Sequence, residues 1–105
     1  MPTQLELDFH AAMVNIYRRA KKEADYNATR FIQMVTDQGG REAAKTLINA
    51  DTPSDGYAAL WTRGRLDLTV EALVIENPQW YSLFTPEEIE RARKRLAQYE
   101  YRVNG

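Results

Sequence analysis

Apolar residues recur along this chain at steps of three and four, the spacing of one helical face. Leu5, Phe9, Ala12, Met13, Ile16, Tyr17, Ala20 and Ala24 make such a stripe. They predict a long first helix, with Thr3 as its N-cap and Asp8, Asn15, Arg18, Arg19 and Lys22 on the wet side. Asp25-Tyr26-Asn27 interrupts the pattern, and Asn27 is placed to cap a second helix carrying Phe31, Ile32, Met34 and Val35. Gly39-Gly40 closes that helix and lets a third begin near Arg41, running through Ala43, Ala44, Leu47 and Ile48. The turn segment 51–56 leads to a short helix capped by Ser54 and stopped at Gly64.

Asp67 or Thr69 can cap a fifth helix holding Val70, Leu73 and Val74, which ends at Asn77-Pro78. Trp80 and Tyr81 then share a single turn. Thr85-Pro86-Glu87-Glu88 has the form of a capping box, with an N-cap hydroxyl, a proline at the first helical position and a glutamate at the third. Phe84 and Ile89 are spaced as a hydrophobic staple over it, and Ala92, Leu96 and Tyr99 continue the buried face. Apart from the ambiguous Leu66-Asp67-Leu68, strand-like alternation is missing. The expectation is one all-α domain over 1–105, a compact bundle of five or six helices in orthogonal or layered packing.

Composition narrows the chemistry. Over 105 residues there are 14 Lys+Arg against 15 Asp+Glu, one histidine, no cysteine and eleven aromatics. The aromatics and the net charge of -1 argue against disorder. Lacking cysteine, the chain has no disulfide, thiol nucleophile, iron-sulfur cluster or thiolate zinc site. The start of the sequence has no signal-peptide pattern, and no stretch is long and apolar enough for a membrane span, so a soluble cytoplasmic protein is expected. His10 lacks a helical ligand partner such as His-x-x-x-His, and Ser54 and Ser82 lack a nucleophile elbow. Glu71 with Glu76, and Asp51 with Asp55, are carboxylate pairs without a recognisable site around them. The sequence therefore points to no catalytic residue, no metal and no cofactor.

Charge divides unevenly along the chain. Segment 51–85 holds two basic and five acidic residues, whereas 86–105 holds five and four. Glu87 before Arg91 and Glu90 before Lys94 stand at helical pairing distance, so the basic run of the last helix reads as a mixed wet face. A nucleic-acid-associated role remains as an alternative, with phosphate contacts from Arg41, Lys45, Arg18, Lys22, Arg91 and Arg95. Two DNA-binding outlines are incomplete. The glycine turn at 39–40 has Gln38 where the first glycine of a helix-hairpin-helix element should be. The recognition helix of a helix-turn-helix reading, residues 69–76, offers two glutamates and no base-reading side chain.

The runs Ser54-Asp55-Gly56-Tyr57-Ala58-Ala59-Leu60-Trp61, Gly64-Arg65-Leu66-Asp67-Leu68-Thr69-Val70-Glu71-Ala72-Leu73-Val74 and Leu83-Phe84-Thr85-Pro86-Glu87-Glu88, together with Tyr26-Asn27-Ala28-Thr29-Arg30-Phe31, resemble a family of small bacterial all-helical proteins. The resemblance implies a helical fold and a bacterial or mobile-element origin. Some members carry the label ADP-ribosyl-(dinitrogen reductase) hydrolase, but that class resembles a much longer domain with several aspartates around two magnesium ions, a set this sequence lacks.

The resulting expectation is a non-enzymatic helical binding module for a protein partner or for itself, without a membrane role. Arg63, Arg65, Trp80 and Tyr81 are its candidate interface, because exposed aromatics with arginine are typical interface material. Nucleic-acid association stands second and a small hydrolase third.

Overall fold

Thr3 opens the first helix by accepting a hydrogen bond from the Glu6 N–H at 3.1 Å. In a computed structural model, which describes residues 3–102, this helix, α1 (Gln4–Glu23), is followed by α2 (Thr29–Gln38), α3 (Gly40–Asn49), α4 (Asp55–Thr62), α5 (Val70–Ile75) and α6 (Pro86–Gln98). Short 3-10 turns at Leu66–Leu68 and Pro78–Leu83 link the later helices, and there is no strand among the described residues. The molecule is thus the all-α bundle that the apolar spacing predicts, with a radius of gyration of 12.5 Å.

Local caps account for most helix starts. The Ser54 hydroxyl accepts from the Tyr57 N–H, and the Thr69 hydroxyl accepts from the Ala72 N–H. At α6 the capping box is complete: Thr85 Oγ1 accepts from the Glu88 N–H, and Glu88 Oε1 accepts from the Thr85 N–H. Asp67 does not cap α5; its carboxylate is held instead by Arg65. Asn27 does not cap α2 either, because the N-cap is Ala28 with no side-chain bond. Thr29 N–H bonds the Asn27 carbonyl, and the Asn27 carboxamide accepts from the Tyr17 hydroxyl on α1.

α3 is central. It packs on α1 and α2 on one side and on α5 and α6 on the other. Its N-terminus begins where it crosses α1, and the Gly40 N–H donates to His10 Nδ1 at 2.9 Å. A Cβ at position 40 would lie 2.6 Å from His10 Cα, so glycine permits the crossing. His10 therefore takes the place of a capping side chain, α3 having none of its own.

The main core gathers Phe9, Met13 and Ile16 of α1 with Ala43, Ala44 and Ile48 of α3, Val74 of α5 and Leu96 of α6. Trp80 and Phe84 set their rings edge-on to Phe9 at 5.3 and 5.5 Å. Burying a side chain the size of Phe9 contributes about 1.5–3 kcal/mol. Ala20, Leu60 and Leu68 form a separate smaller cluster beneath α4. No described helix is long and apolar enough to cross a membrane.

Candidate functional site

The cations considered for phosphate binding are mostly engaged inside the molecule. Arg95 lies buried on α6, where Nη1 donates to Glu71 Oε2 at 2.9 Å and to the Leu47 carbonyl, while Nη2 donates to the Ala50 carbonyl. Arg91, one turn earlier, donates to the Asn49 carbonyl. The two arginines thus answer the open carbonyls at the C-terminus of α3, where positive charge is favoured. Lys45 pairs with Glu88 at 2.7 Å, and Arg41 donates to the Leu83 carbonyl and approaches Glu6. Arg18 and Lys22 remain on the exposed side of α1 without a partner among the described residues. α5 is also unavailable as a recognition helix, since Val70, Glu71, Ala72, Val74 and Ile75 are buried.

The four residues expected to form an interface do not make an exposed aromatic patch. Trp80 is 8% exposed and belongs to the core, packed edge-on against Phe9, and its buried indole N–H has no hydrogen-bond partner among the described residues. Tyr81 is half-buried and donates its hydroxyl to the Ile75 carbonyl. Arg63 donates to the Ala24 and Ala59 carbonyls and lies over the Tyr26 ring. Arg65 bridges Asp67 and Glu23, and hydrogen bonds from Arg19 first and Arg65 second hold the Glu23 carboxyl down to about 2. The exposed tryptophan is Trp61, at 52%, edge-on to Tyr99.

A different feature offers a site. Between α1, the start of α2, α4 and the start of α5 lies a pocket of about 410 Å³. Ile16, Ala20, Met34, Leu60 and Val70 supply apolar walls, and Tyr17, Tyr26, Phe31 and Tyr57 supply rings. The space follows from the connections. The chain leaves α1 through Asp25 in the left-handed region, with Tyr26 N–H turned back on the Ala20 carbonyl. Segment 26–28, between α1 and α2, then contributes directly to the pocket wall. Small side chains at Ala20, Ala28 and Gly56 leave the gap unfilled.

Three hydroxyls on the pocket wall are tied to the protein. Tyr17 donates to Asn27, Thr69 donates to the Leu66 carbonyl, and Tyr57 donates to the Arg95 carbonyl. At the mouth Arg30 and Asp55 pair at 3.6 Å and stand in water. Inside, burial raises the Glu71 carboxyl above the ordinary carboxylate range, against the lowering effect of its hydrogen bond from Arg95. Burial, and then the Glu71 charge, likewise raise the Tyr57 hydroxyl.

Glu71 is legible in sequence as a lone acid within the apolar run Val70–Ile75, a pattern that signals a buried charge. The pocket has no such signal, because distant small residues create it together. No group of three His, Cys, Asp or Glu side chains among the described residues is placed to hold a metal ion. Comparison of the chain with protein-family models gives no match, and comparisons with curated proteins and with solved structures give none either.

Proposed function

We propose that this chain is a non-enzymatic binding module whose binding element is the apolar pocket walled by α1, α2 and α4, and that it takes a small organic molecule there. The observation that carries this reading is the pocket itself. Its volume of about 410 Å³ lies within the roughly 300–1,000 Å³ usual for ligand sites, and its walls combine apolar and aromatic side chains with polar ones. The internal bonding of Tyr17, Thr69 and Tyr57 supports binding over chemistry, since these hydroxyls are already committed.

The test is a titration with a small neutral apolar probe such as indole, followed by amide shifts in two-dimensional NMR. Shifts confined to residues of the pocket wall are expected, and Ala20→Leu should abolish them while the protein still melts cooperatively. Shifts scattered over the surface, or binding unaffected by Ala20→Leu, would overturn the reading.

A protein partner or self-association is the second reading, favoured by the half-exposed Trp61 ring. Light scattering with Trp61→Ala as control separates it: a dimer lost in that variant would favour an interface. The nucleic-acid alternative retains, among the described residues, only Arg18 and Lys22 of its candidate cations without a partner, which weakens it relative to both.

A further inference from the structure

The charged residues that line the pocket are not equivalent. Arg30 and Asp55 are 93% and 92% exposed and mark its mouth, whereas the Glu71 side chain is 5% exposed and lies within. The guanidinium of Arg95 is not part of the lining. It approaches Glu71 through Nη1 alone, a hydrogen at the same nitrogen also serving the Leu47 carbonyl and Nη2 turning to Ala50. Glu71 is therefore held by one guanidinium nitrogen and by its own backbone N–H, and not by the two-pronged fork that answers a carboxylate most fully. The neighbouring hydroxyls of Tyr57 and Thr69 donate to carbonyls instead.

Aromatic rings complete the environment. Tyr17, Phe31 and Tyr57 line the same space, and the fourth ring, Tyr26, already carries the Arg63 guanidinium at 5.1 Å from its centroid. Aromatic faces around a carboxylate are what organic cations need, because the ring quadrupole and the carboxylate attract positive charge together. An anion entering the same space would meet Glu71 and lose its hydration without return.

Resting on the pocket as the binding element, we propose that its ligands are apolar molecules with a cationic head, small aryl- or alkylammonium ions, seated with the head against Glu71 and the body among Tyr17, Phe31 and the apolar wall. A cation brought there supplies the compensation that Arg95 gives incompletely. Burial leaves the Glu71 carboxyl raised, and a bound ammonium would lower it again.

The experiment is a calorimetric titration of the wild-type protein with three molecules of nearly one shape: benzylammonium, benzyl alcohol and benzoate. Benzylammonium is expected to bind about tenfold tighter than the alcohol, the worth of a hydrogen bond to a charged group, and benzoate weakest. Glu71→Gln, checked for its melting transition, should bring benzylammonium down to the level of the alcohol and leave the alcohol unchanged. The wild-type series decides the matter even where that variant fails to fold. Benzoate equal to or tighter than benzylammonium, or an unchanged order in Glu71→Gln, would overturn the cation preference. Equal binding of amine and alcohol would leave the pocket standing and remove the preference, whereas no binding by any of the three, nor by indole, would remove the pocket reading itself.

Discussion

Where α6 lies against α3 and α5, Arg95, Glu71 and Glu88 are buried, and all three, with the half-buried Lys45, are bonded to the chain. Where α2 and α4 flank α1, Arg30 and Asp55 stand in water and the space behind them is open. The two regions use the same residue types. They differ in helix length and linkage: α6 has thirteen residues and a full capping box, whereas α4 has eight and packs chiefly on the turn at Leu66–Leu68. A short helix on a turn cannot close the gap that segment 26–28 lines. Room for a ligand therefore arises on the side with less packing, which is also the side that can rearrange at least cost.

Arg95→Ala is the strongest blow to this contrast. It leaves Glu71 buried without its guanidinium and opens the end of α3, so a loss of about 3–5 kcal/mol is expected in chemical denaturation. Asp55→Ala, which breaks the exposed pair at the pocket mouth, should leave the melting temperature unchanged. Comparable losses from both would mean that the two regions are equally tight.

Acid probes the same seam less severely. Burial alone would raise the Glu88 carboxyl, but hydrogen bonds from Lys45, the Thr85 N–H and Asn49 outweigh it and hold it down to about 2. A carboxyl lowered by folding adds stability that is complete above its unfolded value of 4.5 and disappears as pH falls toward 2. Glu71, raised by burial, acts in the opposite sense: protonation relieves it, so its contribution grows as pH falls. The difference between wild type and Glu88→Gln isolates the first effect. That difference should shrink by about 3 kcal/mol between pH 5 and pH 2 in thermal or urea melts. A constant difference would show that the Lys45–Glu88 bond adds nothing.

Smaller than the loss at Arg95, and opposite in sign to each other, are the effects at two helical glycines. Gly40→Ala forces a Cβ to 2.6 Å from the α1 backbone and should cost about 1–3 kcal/mol. Gly56→Ala meets its nearest atoms at 3.7 Å or more on the pocket side and should stabilise the protein by about 0.5 kcal/mol. Opposite signs in paired melts would distinguish the close α1–α3 crossing from the open pocket side, and equal signs would blur the difference.

Features set by a few consecutive residues were legible from sequence. Thr3, Ser54, Thr69 and Thr85 cap helices because the hydroxyl and the N–H it accepts from are three residues apart. Features set by a distant partner were not. Asn27 turned from its own helix to Tyr17, Trp80 went to Phe9 and not to the surface, and Arg95 met Glu71 across twenty-four positions. The same residue types fit a cap, an interface or a phosphate contact until the third dimension chooses. The pocket was the least legible feature, because a cavity is a deficit of side chains that no local pattern records.

α3 borrows both of its ends. His10 of α1 receives its first N–H, and Arg91 and Arg95 of α6 donate to the carbonyls at its close. A helix of ten residues without caps of its own is a poor structure in isolation. Its formation is therefore tied to the arrival of segments thirty positions before it and more than forty after it, so that the centre of the bundle cannot fray alone. In cooperative terms, α3 couples the first helix to the last, because its terminal backbone groups are satisfied only when both are docked.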